Sequence, residues 1–264
     1  MEELKYLAEG AFGKVYRAKW NNRLFALKSI DFKHTKKKLN ISKNQVLETL
    51  RWEVSCLSAV SHPNLVHFYG IYQKDKGGST HLTMEFCDGG DLRGVLKKAG
   101  NGWDKKWQWS LEITEGLGYL HEIGMLHRDL KCDNILLDCL GRAKLADLGV
   151  SQVDSLFLKD EASVVQAGLQ DKRYIAPENI KNSTLSTKQT DVYALGLVFW
   201  EICCDGAEPR RLEVGSSWFN SWLWGEDIER EPIPKDCTLK YKELILSCWR
   251  FEPKMRPLTG NIIQ

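Results

Sequence analysis

Apolar and polar residues alternate along GKVYRAKW (13–20) and RLFALKSI (23–30), two β-favouring runs separated by the turn-like pair Asn21-Asn22. This arrangement predicts a twisted antiparallel sheet that takes up most of the first 95 residues. Within that stretch Val46, Leu50, Val54 and Leu57 recur at helical spacing and predict one helix over 46–60. HLTMEFCDGGDL (81–92) returns to an apolar strand, Leu82–Met84, that runs into a polar glycine turn. Beyond it the pattern becomes helical, most clearly in WQWSLEITEGLGYLHEIG (107–124) and DVYALGLVFWEICC (191–204). The switch near residue 87 predicts a hinge. Residues 1–87 would form a small β-rich lobe with one main helix and residues 88–264 a larger helical lobe, an α+β architecture in two parts.

Composition narrows the class without naming a partner. With 264 residues, 43% hydrophobic and 27% charged, the chain can bury a substantial core without a metal or disulfide. A net charge of +2 gives no field that would favour nucleic acid. The longest apolar run, 194–204, is interrupted by Glu201 and is shorter than a membrane span of roughly 18 residues requires. No signal peptide opens the chain. The eight cysteines show no paired C-x-x-C spacing and read as reduced thiols in an intracellular, cytoplasmic setting. Lys36–Lys38 read as a solvated connection.

The polar residues left in apolar surroundings point to phosphate chemistry. In LAEGAFGKVY (7–16), Gly10 and Gly13 lie in a strand-turn-strand context, where a backbone without Cβ atoms can donate N–H bonds to phosphates; a plain hairpin turn would carry the same glycines. Lys28, at the end of FALK (25–28), would lie beneath that loop with its ammonium on phosphate oxygens, and Glu53 on the predicted helix is the carboxylate best placed to hold it. The backbone after Met84 suits a flat heterocycle. In HRDLKCDNILLDCLGRAKLADLG (127–149), Asp129 can accept a proton from a hydroxyl nucleophile and Lys131 can steady a transferring phosphoryl group. Asn134 and Asp147 supply the hard oxygens that Mg²⁺ prefers.

The motifs GAFGKV, FALK, HRDLKCDN, DLG, APE (176–178) and DVYALG (191–196), in that order and across the whole chain, resemble a eukaryotic protein kinase catalytic domain. HRDLK resembles the serine/threonine type, and CWRFEPKMRP (248–257) resembles the tyrosine kinase-like group. The resemblance implies a bilobal protein kinase fold and transfer of the ATP γ-phosphoryl group to protein serine or threonine hydroxyls, with ATP and Mg²⁺. It implies that Lys28, paired with Glu53, binds the α- and β-phosphates, that Met84 is the gatekeeper, and that Glu85–Cys87 form the adenine-binding hinge. Val15, Ala26 and Leu136 would enclose adenine and Asp91 would meet the ribose, while Glu178–Arg256 and Asp191 would be structural. Arg128 would receive a phosphorylated residue of the activation segment; between Asp147 and Glu178 the hydroxyls are Ser151, Ser155, Ser163 and Tyr174, with no threonine, and since Ser151 is too close to the metal site and Tyr174 is expected to pack next to APE, Ser163 and then Ser155 are the candidates unless Asp160 or Glu161 already supplies the charge.

Three positions depart from the resembling pattern. Leu148 replaces the usual Phe and is expected to pack beside Leu57, Phe68 and His127; Ala8 stands in place of the first loop glycine and is expected to weaken nucleotide affinity at most. Asp171, five residues before Ala176, stands where threonine is usual, and an acid there is expected either to pair with Lys131 or to repel Asp129. Ala8 and Asp171 keep open the alternative of a weakly active, nucleotide-binding pseudokinase scaffold. Trp218 and Trp222 would share a helix face, as packing or as a docking patch for a partner.

Overall fold

The structure is a computed structural model that describes residues 3–9, 14–30, 51, 53–73, 80–98, 100–148, 152–153, 171–181, 186–210 and 231–262. Strands β1 (Glu3–Glu9), β2 (Lys14–Trp20), β3 (Arg23–Ile30), β4 (Phe68–Gln73) and β5 (Thr80–Glu85) form one antiparallel sheet in the order β1-β2-β3-β5-β4. The β2–β3 hairpin turns on Asn21 and Asn22, whose φ values of 46° and 60° are those of the mirror-image turn that matches strand twist. Register follows from this turn and places Val15 opposite Lys28 and Ala26 opposite Met84. Residues 53–59 are helical (α1) and bury Glu53, Cys56 and Leu57.

The second lobe is built around a helix that is apolar on every side. Helix α4 (Pro177–Lys181) is followed by α5 (Lys188–Cys203), which opens on a capping box between Thr187 and Thr190 and buries every residue from Thr190 to Cys203. A helix without a polar face has to be surrounded. Helix α3 (Trp103–Glu122) and helix α6 (Leu239–Cys248) pack against it, with Tyr241 fully buried beside Phe199, and α2 (Leu92–Leu96) precedes α3. Gly196 permits the close approach of α6: a Cβ there would lie 2.9 Å from the Cβ of Cys248 and 3.1 Å from the backbone nitrogen of Trp249.

Short strands make up the two remaining sheets. Strands β6 (Gly90–Asp91), β8 (Ile135–Leu137) and β9 (Ala143–Leu145) form a small sheet, and β7 (Met125–Leu126) pairs with β10 (Gln152–Val153). Residues 64–66 run beside β9: Leu145 N–H donates to Asn64 O at 2.8 Å and Val66 N–H donates to Leu145 O at 2.9 Å. The stretch after α1 is thereby tied to the strand that leads into Asp147. All eight cysteines are free thiols. Among the described residues no helix is long and apolar enough to cross a membrane.

Candidate active site

Lys28 lies on the inner strand β3, 7% exposed, with Nζ 2.7 Å from Glu53 Oε1 and 2.9 Å from Asp147 Oδ1. Burial alone would lower the lysine's proton affinity, but Asp147 and Glu53 together raise it, so Lys28 stays an ammonium. Lys28 in turn holds the carboxyl of Asp147 below the ordinary carboxylate range. Glu53 is more deeply buried, and burial pushes its carboxyl upward against the pull of Lys28. Three elements distant in sequence thus meet on one nitrogen.

The second cluster lies on the loop after β7. Lys131 Nζ is 2.8 Å from Asp129 Oδ2, and Asn134 Nδ2 donates to the same oxygen at 2.8 Å and to the Asp129 backbone oxygen at 2.7 Å. Burial raises the proton affinity of Asp129, and Lys131 and Asn134 oppose it. Asp191, at the start of α5, fixes the loop from below by accepting the backbone N–H groups of His127 and Arg128, each at 2.8 Å. Two residues here have positive φ without being glycine, Arg128 at 69° and Asp147 at 59°. Such a conformation costs about 1 kcal/mol or more and persists only where the surroundings enforce it.

The other predicted residues lie as follows on the elements already described. Val15, Ala26, Met84, Glu85 and Leu136 are half-buried and Ala8 is exposed on β1, beside an irregularity in its pairing with β2. Burial pushes the Cys87 thiol up to about 12, which leaves it inert as a nucleophile. Glu85 is anchored by Lys144 at 3.0 Å and by the backbone N–H of His67. Asp91 has a task that the sequence reading overlooked: it caps α2 by accepting Gly94 N–H at 2.7 Å. Leu148 is buried in the same apolar cluster as Leu57 and Phe68. Arg128 is buried, and its Nε donates to Ser186 Oγ at 3.0 Å. Gly10, Gly13, Val46, Leu50, Ser155, Ser163, Trp218 and Trp222 lie outside the described residues.

Asp171 does not take the first of its two expected roles. It does not form an ion pair with Lys131; Arg173 takes its carboxylate, with Nη2 2.7 Å from Oδ2 and Nε 3.0 Å from Oδ1. Burial opposes the charge of Asp171, yet the side-chain and backbone bonds from Arg173 hold its carboxyl below the ordinary range. A second polar network was also missed. Arg93 Nη2 lies 2.8 Å from Asp133 Oδ2, 2.7 Å from the Tyr174 hydroxyl and 2.9 Å from Glu201 Oε2, and the Tyr174 hydroxyl donates to Glu201 Oε1. It joins α2, the catalytic-looking loop, the segment before Ala176 and α5.

A family profile described as protein tyrosine and serine/threonine kinase matches residues 1–264. The chain belongs to this protein kinase family. The kinase domain is 30% identical to the serine/threonine/tyrosine-protein kinase HT1 of Arabidopsis thaliana over 97% of this chain and 63% of that protein. It is 35% identical to the human serine/threonine-protein kinase Nek5 over 99% of this chain and 35% of that one. With the mitogen-activated protein kinase kinase kinase 1b of Physcomitrium patens it shares 30% over 98% of this chain and 32% of the relative. The kinase domain therefore spans less than two thirds of each of these relatives.

Its oxygen donors fit a magnesium ion. Asn134 spends its amide nitrogen on Asp129, which leaves the amide oxygen as a ligand, and Asp147 bonds Lys28 through Oδ1 alone, which leaves Oδ2. Among the described residues no group of three or more His, Cys, Asp or Glu side chains can hold a metal. Two oxygen ligands completed by phosphate and water are a coordination that magnesium accepts.

Proposed function

We propose that this kinase domain transfers the γ-phosphoryl group of ATP to serine or threonine hydroxyls of a protein substrate, with residues 1–87 as the nucleotide-binding lobe and 88–264 as the catalytic and substrate-binding lobe. The observation that carries this reading is the convergence of Glu53 and Asp147 on Lys28 next to an Asp129 held by both Lys131 and Asn134. In this reading Lys28 binds the α- and β-phosphates, with Glu53 fixing where its ammonium stands. Asp129, whose proton affinity burial raises, accepts the proton of the attacking hydroxyl. Lys131 steadies the transferring group. Val15, Ala26, Met84 and Leu136 bound the adenine, and the backbone of Glu85–Cys87 meets its edge. Asn134 and Asp147 would hold Mg²⁺, which supplies neutralisation of phosphate charge when bound.

Incubating the purified chain with radiolabelled ATP, magnesium and casein tests the proposal, with Asp129→Asn as control. Label on serine or threonine that the control lacks is the expected result. Nucleotide binding without transfer would instead favour the scaffold reading.

A further inference from the structure

The grip of Arg173 on Asp171 solves a problem that the sequence creates. An acid stands where the resembling kinases have threonine, in a chain whose Lys131 must serve Asp129. Asp171 lines the same small cavity as Arg128, Asp129, Leu130 and Tyr174, and the positive charge of Lys131 reaches it. Two carboxylates thus line one cavity, and the charge of Lys131 acts on both. Lys131 bonds Asp129 at 2.8 Å, whereas Asp171 is engaged by Nε and Nη2 of Arg173 and by the Arg173 backbone N–H at 3.1 Å. The guanidinium is itself anchored beyond the segment, because its Nη1 is bonded to Glu208, after α5. A planar fork that meets both oxygens of a carboxylate outcompetes a single ammonium for it.

We propose that Arg173 is a positioning residue for the reaction: by chelating Asp171 it keeps that carboxylate off Lys131 and so preserves the Lys131–Asp129 pair. This role rests on the reading of Lys131 and Asp129 given under Proposed function. It makes Asp171 a liability that Arg173 contains, and it predicts a sign that a purely structural ion pair would not give. Breaking the pair from the Arg173 side should harm turnover, and removing Asp171 as well should restore it.

Steady-state kinetics with ATP, magnesium and casein on the wild-type chain, Arg173→Ala, Asp171→Ala and the double variant test this. Arg173→Ala is expected to lower kcat about tenfold, the scale of one charge-assisted contact, with KM for ATP unchanged. Asp171→Ala should keep kcat close to wild type, and the double variant should recover most of what Arg173→Ala loses. A double variant no better than Arg173→Ala, or an Asp171→Ala that loses as much by itself, overturns the role. If Arg173→Ala does not fold, as read by circular dichroism, Arg173→Lys replaces it in the same comparison, since lysine keeps the charge without the fork. A wild-type chain that transfers no phosphoryl group overturns the kinase reading, and this role with it.

Discussion

Arg256 and Glu178 meet face to face, Nη1 on Oε1 at 2.7 Å and Nη2 on Oε2 at 2.9 Å, and the arginine side chain is completely buried. Its remaining donors reach the carbonyl oxygens of Gln189, Arg250 and Phe251, so one guanidinium joins the first turn of α5, the turn after α6 and the start of α4. Removing one partner of a buried pair leaves the other charge uncompensated. Arg256→Ala is expected to cost about 3 kcal/mol in urea unfolding, and Arg256→Lys to recover only a minor part because an ammonium cannot make the fork. A loss below that of an ordinary surface substitution would show that the pair is not held as tightly as its geometry indicates.

Lys28→Met and Asp147→Asn are each expected to lower phosphoryl transfer at least about a hundredfold, because each removes charge that faces the phosphates. The structure adds a difference between them. Lys28→Met strands Glu53, which is 3% exposed, without its cation. Glu53, already pushed upward by burial, would then take up a proton, and the fold would survive at a cost in stability. Adding Glu53→Gln to Lys28→Met should raise the melting temperature again without restoring turnover. Recovery of turnover in that double variant would contradict the assignment of Lys28.

What the sequence made legible depended on how far a residue's partner lies from it. Order and spacing drew attention to Lys28, Asp129 and Asn134, since each belongs to a recognisable string, whereas Glu53 came only from its place on a predicted helix; the hairpin at Asn21-Asn22 declares itself in two residues. The fully buried α5 was readable from an apolar run, although Glu201 inside it looked like an interruption. Its partners Arg93 and Tyr174 lie far away in the chain, and no local pattern announces that three polar groups will share one buried place. Arg173 is a different kind of miss. It stands two residues from Asp171, and the string DKR holds both partners, but the sequence offers Asp171 either Lys131 as a partner or Asp129 as a rival. Asp91 was likewise readable as a helix cap, because it immediately precedes the apolar start of α2.

Gly196→Ala tests the packing of α5 on α6. Alanine would favour an isolated helix by about 1 kcal/mol. Here the new methyl would stand 2.9 Å from the Cβ of Cys248 and 3.1 Å from the Trp249 backbone nitrogen, and neither belongs to a flexible chain end. Overpacking of this kind costs about 1–3 kcal/mol, so the variant is expected to be less stable than wild type in thermal melts despite its better helix propensity. A stabilised variant would show that α6 can move away from α5.

Glu201 should give the stability of the domain a pH dependence of its own. It is fully buried, and burial pushes its carboxyl up to about 7 against the pull of Arg93 and the Tyr174 hydroxyl. Its ordinary value is 4.5, so between pH 4.5 and pH 7 the folded chain binds a proton that the unfolded chain does not. Stability from this group is therefore fully present below pH 4.5 and is lost as pH rises through about 7, by roughly 3 kcal/mol over the whole interval. Other groups titrate in the same range, and the difference between wild type and Glu201→Gln isolates this one. Glutamine keeps an oxygen for the Tyr174 hydroxyl and never ionises. Urea unfolding of both proteins at intervals from pH 4.5 to pH 8 should therefore show Glu201→Gln gaining on wild type as pH rises and levelling off above about 7. Parallel curves would mean that Arg93 keeps Glu201 ionised throughout, and that the pair behaves as a permanent ion bridge between α2 and α5.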